Sequence, residues 1–174
     1  MALSKRKEQL YLNYFATPLG KMASLSDHHH LYFLKFIDND FEGNELIKVQ
    51  SKYQNKFLKQ PTKISELIET EVHSYFLNSK FIFTTPTKFF GTSFQEQIWK
   101  ELVSVNSGQT TTYQKLALKV NRLKSQRAIG NCVGQNCLAI IIPCHRVILS
   151  NGQLGGYNGG IVRKQWLLKH EQIK

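Results

Sequence analysis

The sequence predicts an α+β protein: a small N-terminal α/β lobe followed by a mainly helical half that carries a helix-turn-helix. Three observations lead there. Short runs of alternating apolar and polar residues crowd the start of the chain, the pattern of half-buried strands. From Ser93 onward apolar residues recur at helical spacing. Between the two lies "TTPTKFFGTSF", residues 84–94, a Thr/Pro/Gly-bearing stretch that reads as a linker. The domains expected are therefore 1–88 and 89–174.

In the first of these, "LYLNYFATPLGKMASLS" reads as a strand, a Pro-Leu-Gly turn and a second strand. "LYFLKFI", residues 31–37, is a third strand. The run His28, His29, His30 between strands reads as a polar hairpin turn, because adjacent residues on one strand cannot all face one ion. "ISELIETEVHSYFL" places apolar residues at 64, 67, 68, 72, 75 and 76, a helical stripe with His73 on its surface. In the second half, Ser93 with Glu96 forms a capping box for "SFQEQIWKELVSV". Thr112 caps "YQKLALKV" and Ser125 caps "QRAIGNCVG", two short helices joined by a tight turn. "AIII", residues 139–142, reads as a buried strand that Pro143 ends. A Gly/Asn-rich loop, "SNGQLGGYNGG", leads to a last helix, "IVRKQWLLKHEQ".

With 174 residues, 41% of them hydrophobic, the chain has material for one sizeable core or two small lobes, and disorder is excluded. No apolar run approaches the roughly 20 residues that span a bilayer. The start, "MALSKRKEQLYL", is basic but lacks the apolar stretch of a signal peptide, so the expected location is intracellular, cytoplasmic in a bacterium or nuclear in a eukaryote. The three cysteines, Cys132, Cys137 and Cys144, form no disulfide framework and lack the paired spacing of a zinc site, which fits a reducing compartment. The net charge is +11. Residues 91–174 hold 11 Lys/Arg against 3 Asp/Glu, whereas residues 1–90 hold 12 against 9. The excess positive charge in the second half favours a polyanionic partner there.

Cys144 stands apart from the other two thiols, which read as small buried hydrophobes. It follows Pro143, where regular pairing stops, and His145 and Arg146 adjoin it. A cation near a thiol raises its thiolate fraction. A base needs an orienting acid, and the basic half offers only Glu96, Glu101 and Glu171. Glu96 belongs to a cap, which leaves Glu171 as the candidate. A helix-turn-helix in a basic half suggests duplex nucleic acid. A nucleophile held in a pocket beside it implies a base brought out of the stack, with the Tyr157 loop as one pocket wall.

"IPCHRVI", the preceding "TYQKLA" and "RAIG", and the following "GGYNGG" and "RKQWLLKHE" resemble the O6-alkylguanine-DNA alkyltransferases, also called methylated-DNA–protein-cysteine methyltransferases. The resemblance runs from about residue 91 to 172, and more weakly through "TPLGKMASLSD". It implies a ribonuclease-H-like N-terminal lobe and a winged-helix-like C-terminal domain. It implies Cys144 as alkyl acceptor, His145 as its base acting through a water, Glu171 as the acid orienting that base, and Asn136 as a hinge bracing the active turn. By the same resemblance Tyr113 helps rotate the nucleotide and donates to the guanine, and Arg127 fills the space of the flipped base. Tyr157 and Asn158 form the loop wall and Lys164 lies near the pocket. The carbonyls of Cys144 and Val147 read the guanine amino group, and Arg146 braces structure. The implied partner is double-stranded DNA with O6-alkylguanine lesions, with thymine O4 a further position. The implied protein is a monomer that acts once, with no cofactor, metal or membrane. One departure stands out: "VNRLKSQRAIG" lacks the expected Gly-x-Pro and Ala-Arg pairings, and Gln126 replaces a small residue beside Arg127.

Three other readings compete with a suicide repair enzyme: a damage-binding module that flips without reacting, a helix-turn-helix regulator with a structural or redox-sensing Cys144, and a thiol hydrolase with a Cys-His-Glu triad. The first has no need of Cys144, and the last has no use for Arg127 or the charge asymmetry.

Overall fold

The computed structural model describes residues 9–38, 46–53, 56–123 and 125–172. The basic start of the chain, residues 1–8, and Lys124 of the "VNRLKSQRAIG" stretch lie outside the described residues. The chain divides into two compact units, residues 1–73 with 84–88, and residues 74–83 with 89–174. Among the described residues, no helix is long and apolar enough to cross a membrane.

The first unit is built on a four-stranded sheet in the order β3-β2-β1-β4. Strands β1 (Leu10–Thr17), β2 (Gly20–Ser26) and β3 (Leu31–Phe36) are antiparallel neighbours, and β4 (Phe57–Lys59) runs parallel to β1. Helix α1 covers Leu46–Tyr53. Gly20 closes the first hairpin at φ 112°, a backbone setting that glycine adopts without a Cβ clash. The histidine run is the β2–β3 turn. Asp27 holds it, one carboxylate oxygen accepting from the backbone N–H of both His29 and His30 at 2.6 Å and the other from the Tyr32 hydroxyl at 2.6 Å. Helix α2 (Lys63–Leu77) lays Ile64, Ile68 and Val72 into the core. Glu71, 3% exposed, accepts from the backbone N–H and hydroxyl of both Thr84 and Thr85. That fourfold acceptance satisfies a buried carboxylate. From Ser74 onward α2 belongs to the second unit.

The second unit contains α3 (Ser93–Val103), α4 (Tyr113–Lys119), α5 (Gln126–Gly134) and α6 (Ile161–His170), with a short parallel pair of β5 (Thr111–Thr112) and β6 (Val147–Ile148). The capping box of α3 lies one residue earlier than Ser93–Glu96. Thr92 accepts from the Gln95 N–H, and the Gln95 side chain accepts from the Thr92 N–H at 2.7 Å. The same spacing rule holds with Thr and Gln, and it leaves Glu96 out of the cap. Trp99 anchors α3 by donating its indole N–H to the Cys132 carbonyl at 2.9 Å.

Helices α4 and α5 form the helix-turn-helix. Thr112 caps α4 by accepting from the Lys115 N–H. The helix ends in a Schellman motif: Asn121 is left-handed at φ 55°, Arg122 N–H reaches the Ala117 carbonyl at 2.8 Å, and Asn121 N–H reaches Leu118. Ser125 precedes α5 without a side-chain cap, because its backbone at φ −110°, ψ 22° is not the extended setting a capping hydroxyl needs.

The isoleucine run is not a strand. Residues 138–142 form tight buried turns, with Ile142 N–H on the Leu138 carbonyl at 2.9 Å and Ile140 left-handed at φ 71°. β-branched propensity favours a strand here, but the backbone groups find a side chain instead of a neighbouring strand. The Asn136 amide donates to the Ile142 carbonyl at 2.8 Å, and its oxygen accepts from the Leu138 N–H at 2.8 Å. After Pro143 a 3-10 turn covers Cys144–Arg146, and pairing begins only at β6.

Candidate active site

Cys144 heads the 3-10 turn and is 7% exposed. It opens into a pocket of about 310 Å³, also lined by Tyr113, Gly130, Val133, Gly134, Gly156, Tyr157 and Asn158. That size lies at the lower end of small-ligand sites. The turns of residues 138–142 exist because Asn136 ties them, and the same amide nitrogen lies 3.1 Å from the Cys144 sulfur. A donor at that distance favours the thiolate over the thiol.

His145 follows Cys144 in the 3-10 turn, whose geometry sets adjacent side chains about 120° apart. Its ring is fully buried, and Nε2 lies 2.9 Å from Glu171 Oε1. Glu171 arrives as the C-cap of α6, whose buried face is Lys164, Leu167 and Leu168. Arg146 forks on the same carboxylate, donating from Nε to Oε2 at 2.9 Å and from Nη2 to Oε1 at 2.8 Å, and it also donates to the Val105 carbonyl. The Tyr75 hydroxyl donates to Oε1 at 2.7 Å.

These partners fix the proton positions. Burial works to raise the Glu171 carboxyl, but the hydrogen bonds and charges of His145 and Arg146 outweigh it and hold the group down at about 2. Burial pushes the His145 imidazole down, which keeps it neutral. An ionised carboxylate only accepts, so Nε2 carries the imidazole proton and Nδ1 carries the lone pair. Nδ1 is buried and has no protein partner. The arrangement is a neutral imidazole, oriented from behind, with its basic nitrogen unengaged by protein. Burial also raises the phenols of Tyr113 and Tyr157, with the adjoining Cys144 adding to both, so each remains a proton donor. The Tyr157 hydroxyl is itself buried without a hydrogen-bond partner.

Lys164 is fully buried. Its ammonium donates to the carbonyls of Val147 at 2.6 Å, Leu154, and Gly156 at 3.2 Å. Burial lowers it to about 8. It thereby ties β6 to the glycine-rich loop. The Asn158 side chain bridges that loop to α5, donating to the Gly134 carbonyl at 3.1 Å.

The structure thus gathers Cys144, Tyr113, Tyr157 and Asn158 at the pocket, sets Asn136 against the sulfur, and pairs His145, next to Cys144 in the chain, with Glu171. Val147 is buried, and its carbonyl already receives Lys164. Arg127 is exposed on the first turn of α5, outside the pocket lining, although Gly130, Val133 and Gly134 of the same helix line it. Tyr75 is the participant that sequence reasoning missed. It lies on the apolar stripe of α2, and the one available signal is general: a buried tyrosine hydroxyl needs a partner. Among the described residues, no three His, Cys, Asp or Glu side chains come together as a metal site.

A family profile described as "6-O-methylguanine DNA methyltransferase, DNA binding domain" matches residues 93–173. The methylated-DNA–protein-cysteine methyltransferase of Haemophilus influenzae is 33% identical, over 94% of this chain and 87% of that protein. Its Shigella flexneri counterpart is 34% identical, over 90% and 92%. The crystal structure of Mycobacterium tuberculosis OGT in complex with DNA is similar at a TM-score of 0.79 and 28% identity, covering 93% of this chain and 92% of that one. The PCHRV turn, the residues gathered around its sulfur and these near full-length likenesses lead to one assignment: the chain belongs to the methylated-DNA–protein-cysteine methyltransferase family.

Proposed function

We propose that the protein repairs DNA by moving an alkyl group, methyl in the simplest case, from guanine O6 to its own Cys144. The observation that carries this reading is the Cys144 sulfur facing a nucleobase-sized pocket, 3.1 Å from the Asn136 donor. The buried His145–Glu171 pair supplies the base. In the step, the Cys144 proton passes through a water to Nδ1 of His145. The sulfur attacks the alkyl carbon, the S–C bond forms and the C–O6 bond breaks, and the electron pair remains on guanine. The departing guanine takes up one proton from solvent as the imidazolium releases the Cys144 proton to solvent, and the Tyr113 phenol stabilises the developing negative charge by donating a hydrogen bond at the pocket wall. A thioether is inert to displacement without activation of its sulfur, so one chain acts once. Thymine O4 presents the same kind of carbon and is the second candidate substrate.

Reaching that carbon in a duplex requires base extrusion, which costs a few kcal/mol. Arg127, exposed at the head of α5, fills the gap left in the stack on this reading, and the backbone of Asn158 meets O6. The carbonyls of Cys144 and Val147 would read the guanine amino group, and Lys164 holds the second of these carbonyls in place. The charge of residues 91–174 supports the DNA phosphates as partner. The sheet order β3-β2-β1-β4 supports a ribonuclease-H-like reading of the first unit. The helix-turn-helix with its β5–β6 pair supports a winged-helix-like reading of the second. Repair of this kind belongs where the cell keeps its DNA, and the site is complete in one copy of the chain.

The test is loss of O6-methylguanine from a synthetic duplex on incubation with the protein. Cys144→Ser should bind the duplex and leave the lesion intact. His145→Ala and Glu171→Gln should slow transfer far more than binding. Unaltered rates in both would refute the relay.

A further inference from the structure

Glu171 is held by more than the two residues beside Cys144. Oε1 accepts from three donors: His145 Nε2 at 2.9 Å, Arg146 Nη2 at 2.8 Å and the Tyr75 hydroxyl at 2.7 Å. Tyr75 is 1% exposed and lies in the last turn of α2. Its place is fixed twice more. Its backbone carbonyl accepts from His170 Nε2 at 2.8 Å, and the His170 ring packs edge-on to it at 5.2 Å. Beside it the Phe76 ring packs on Trp166 at 5.4 Å, and Trp166 stacks on His170 at 4.9 Å. The end of α2 is therefore clasped to the end of α6, and Glu171 follows directly on His170.

We propose that Tyr75 is a positioning residue for alkyl transfer, its hydroxyl fixing Glu171 and drawing charge from the oxygen that orients His145. This rests on the relay described above. Each donor on Oε1 reduces the negative charge available to His145 Nε2, and so lowers the basicity of the imidazole. The charged and titratable groups that face His145 are Glu171, Arg146 and Lys164, with Cys144 adjoining it in the chain and the Tyr157 ring at 6.4 Å. Those around Tyr75 are Glu171, Arg146, Tyr157 and His170. Burial beside the Glu171 carboxylate keeps the Tyr75 phenol protonated, so it donates throughout the working pH range. Tyr75 touches neither Cys144 nor the pocket in front of it, so its effect must pass through Glu171.

Tyr75→Phe removes the hydroxyl and keeps the ring. The His145 titration, read from its imidazole nitrogen resonances in DNA-free protein, should move up by about half a pH unit or more. The acid limb of the alkyl-transfer rate should move up with it, and the plateau rate should fall several-fold. A role confined to packing would lower thermal stability and leave both midpoints unmoved, and that result overturns the proposal. The nitrogen titration needs no substrate. If it shifts in a protein that transfers no alkyl group, Tyr75 keeps its place and the functional reading fails. If Tyr75→Phe does not fold, unmutated protein labelled at the tyrosine Cζ carbon gives the answer. Its Tyr75 signal should change with the His145 midpoint, and a signal flat through that transition overturns the proposal.

Discussion

Replacing Asn136 by alanine removes three close hydrogen bonds from a position that is 4% exposed. The amide nitrogen donates to the Ile142 carbonyl at 2.8 Å and the Cys144 sulfur at 3.1 Å, and the oxygen accepts from the Leu138 N–H at 2.8 Å. Alanine leaves the Leu138 N–H unpaired in the interior, whereas the Ile142 carbonyl keeps the Cys144 N–H at 2.8 Å. That unpaired donor costs about 1–3 kcal/mol, and the lost contacts to the Ile142 carbonyl and the Cys144 sulfur add about 1 kcal/mol. The expected loss is about 2–4 kcal/mol, a large share of the roughly 5–15 kcal/mol that holds a domain folded. The assay is urea unfolding followed by tryptophan fluorescence, since Trp99 and Trp166 both lie in the same unit. At a temperature where the variant remains folded, transfer should also slow, because the thiolate has lost its donor. A loss under about 1 kcal/mol would refute the view that one side chain holds the active turn in place of a sheet.

Three other predictions follow from neighbouring features. Arg127→Ala should reduce transfer from a duplex about tenfold while leaving reaction with free O6-benzylguanine nearly unchanged, since only the duplex needs extrusion; equal losses in both assays would exclude the stack-filling role. Gly91→Ala puts a Cβ 2.6 Å from the buried Trp99 ring and should destabilise the second unit by about 1–3 kcal/mol in thermal melts. Acid should weaken the two units differently. In the second, the folded pKa of His145 lies below its ordinary 6.5, so the unfolded state binds its proton first and stability falls as pH drops below 6.5; the share from Glu171 is lost between 4.5 and about 2. In the first, burial raises the Glu71 carboxyl but the hydrogen bonds of Thr84 and Thr85 outweigh it and hold it below 4.5, so its contribution is present above 4.5 and lost beneath it. His145→Gln should remove the earlier loss and Glu71→Gln the acid-sensitive part in the first unit, each read by stability against pH.

What the sequence made legible was local. The three N-terminal strands, the Thr112 cap and the α6 helix follow from patterns that act within a few residues. Cys144, His145 and Arg146 were visible because they adjoin in sequence. The isoleucine run misled because propensity describes a strand with neighbours, whereas here Asn136 supplies the missing partners from six residues away. Tyr75 was not legible at all. It reaches Glu171 across 96 positions, and on its own helix it looks like one more core residue. Arg146 could be seen as structural but not as a fork on the acid that orients His145, because that depends on where α6 ends.

On the proposed reading, Cys144 receives the alkyl group and keeps it. The most direct measurement is the intact mass of the protein after incubation with excess duplex carrying isotopically labelled methyl at guanine O6, followed by peptide mapping. A gain of one labelled methyl per chain, located on Cys144, is expected, with no further turnover while duplex remains in excess. Loss of the lesion with no gain in protein mass, or a methyl found on Cys132 or Cys137, would contradict it.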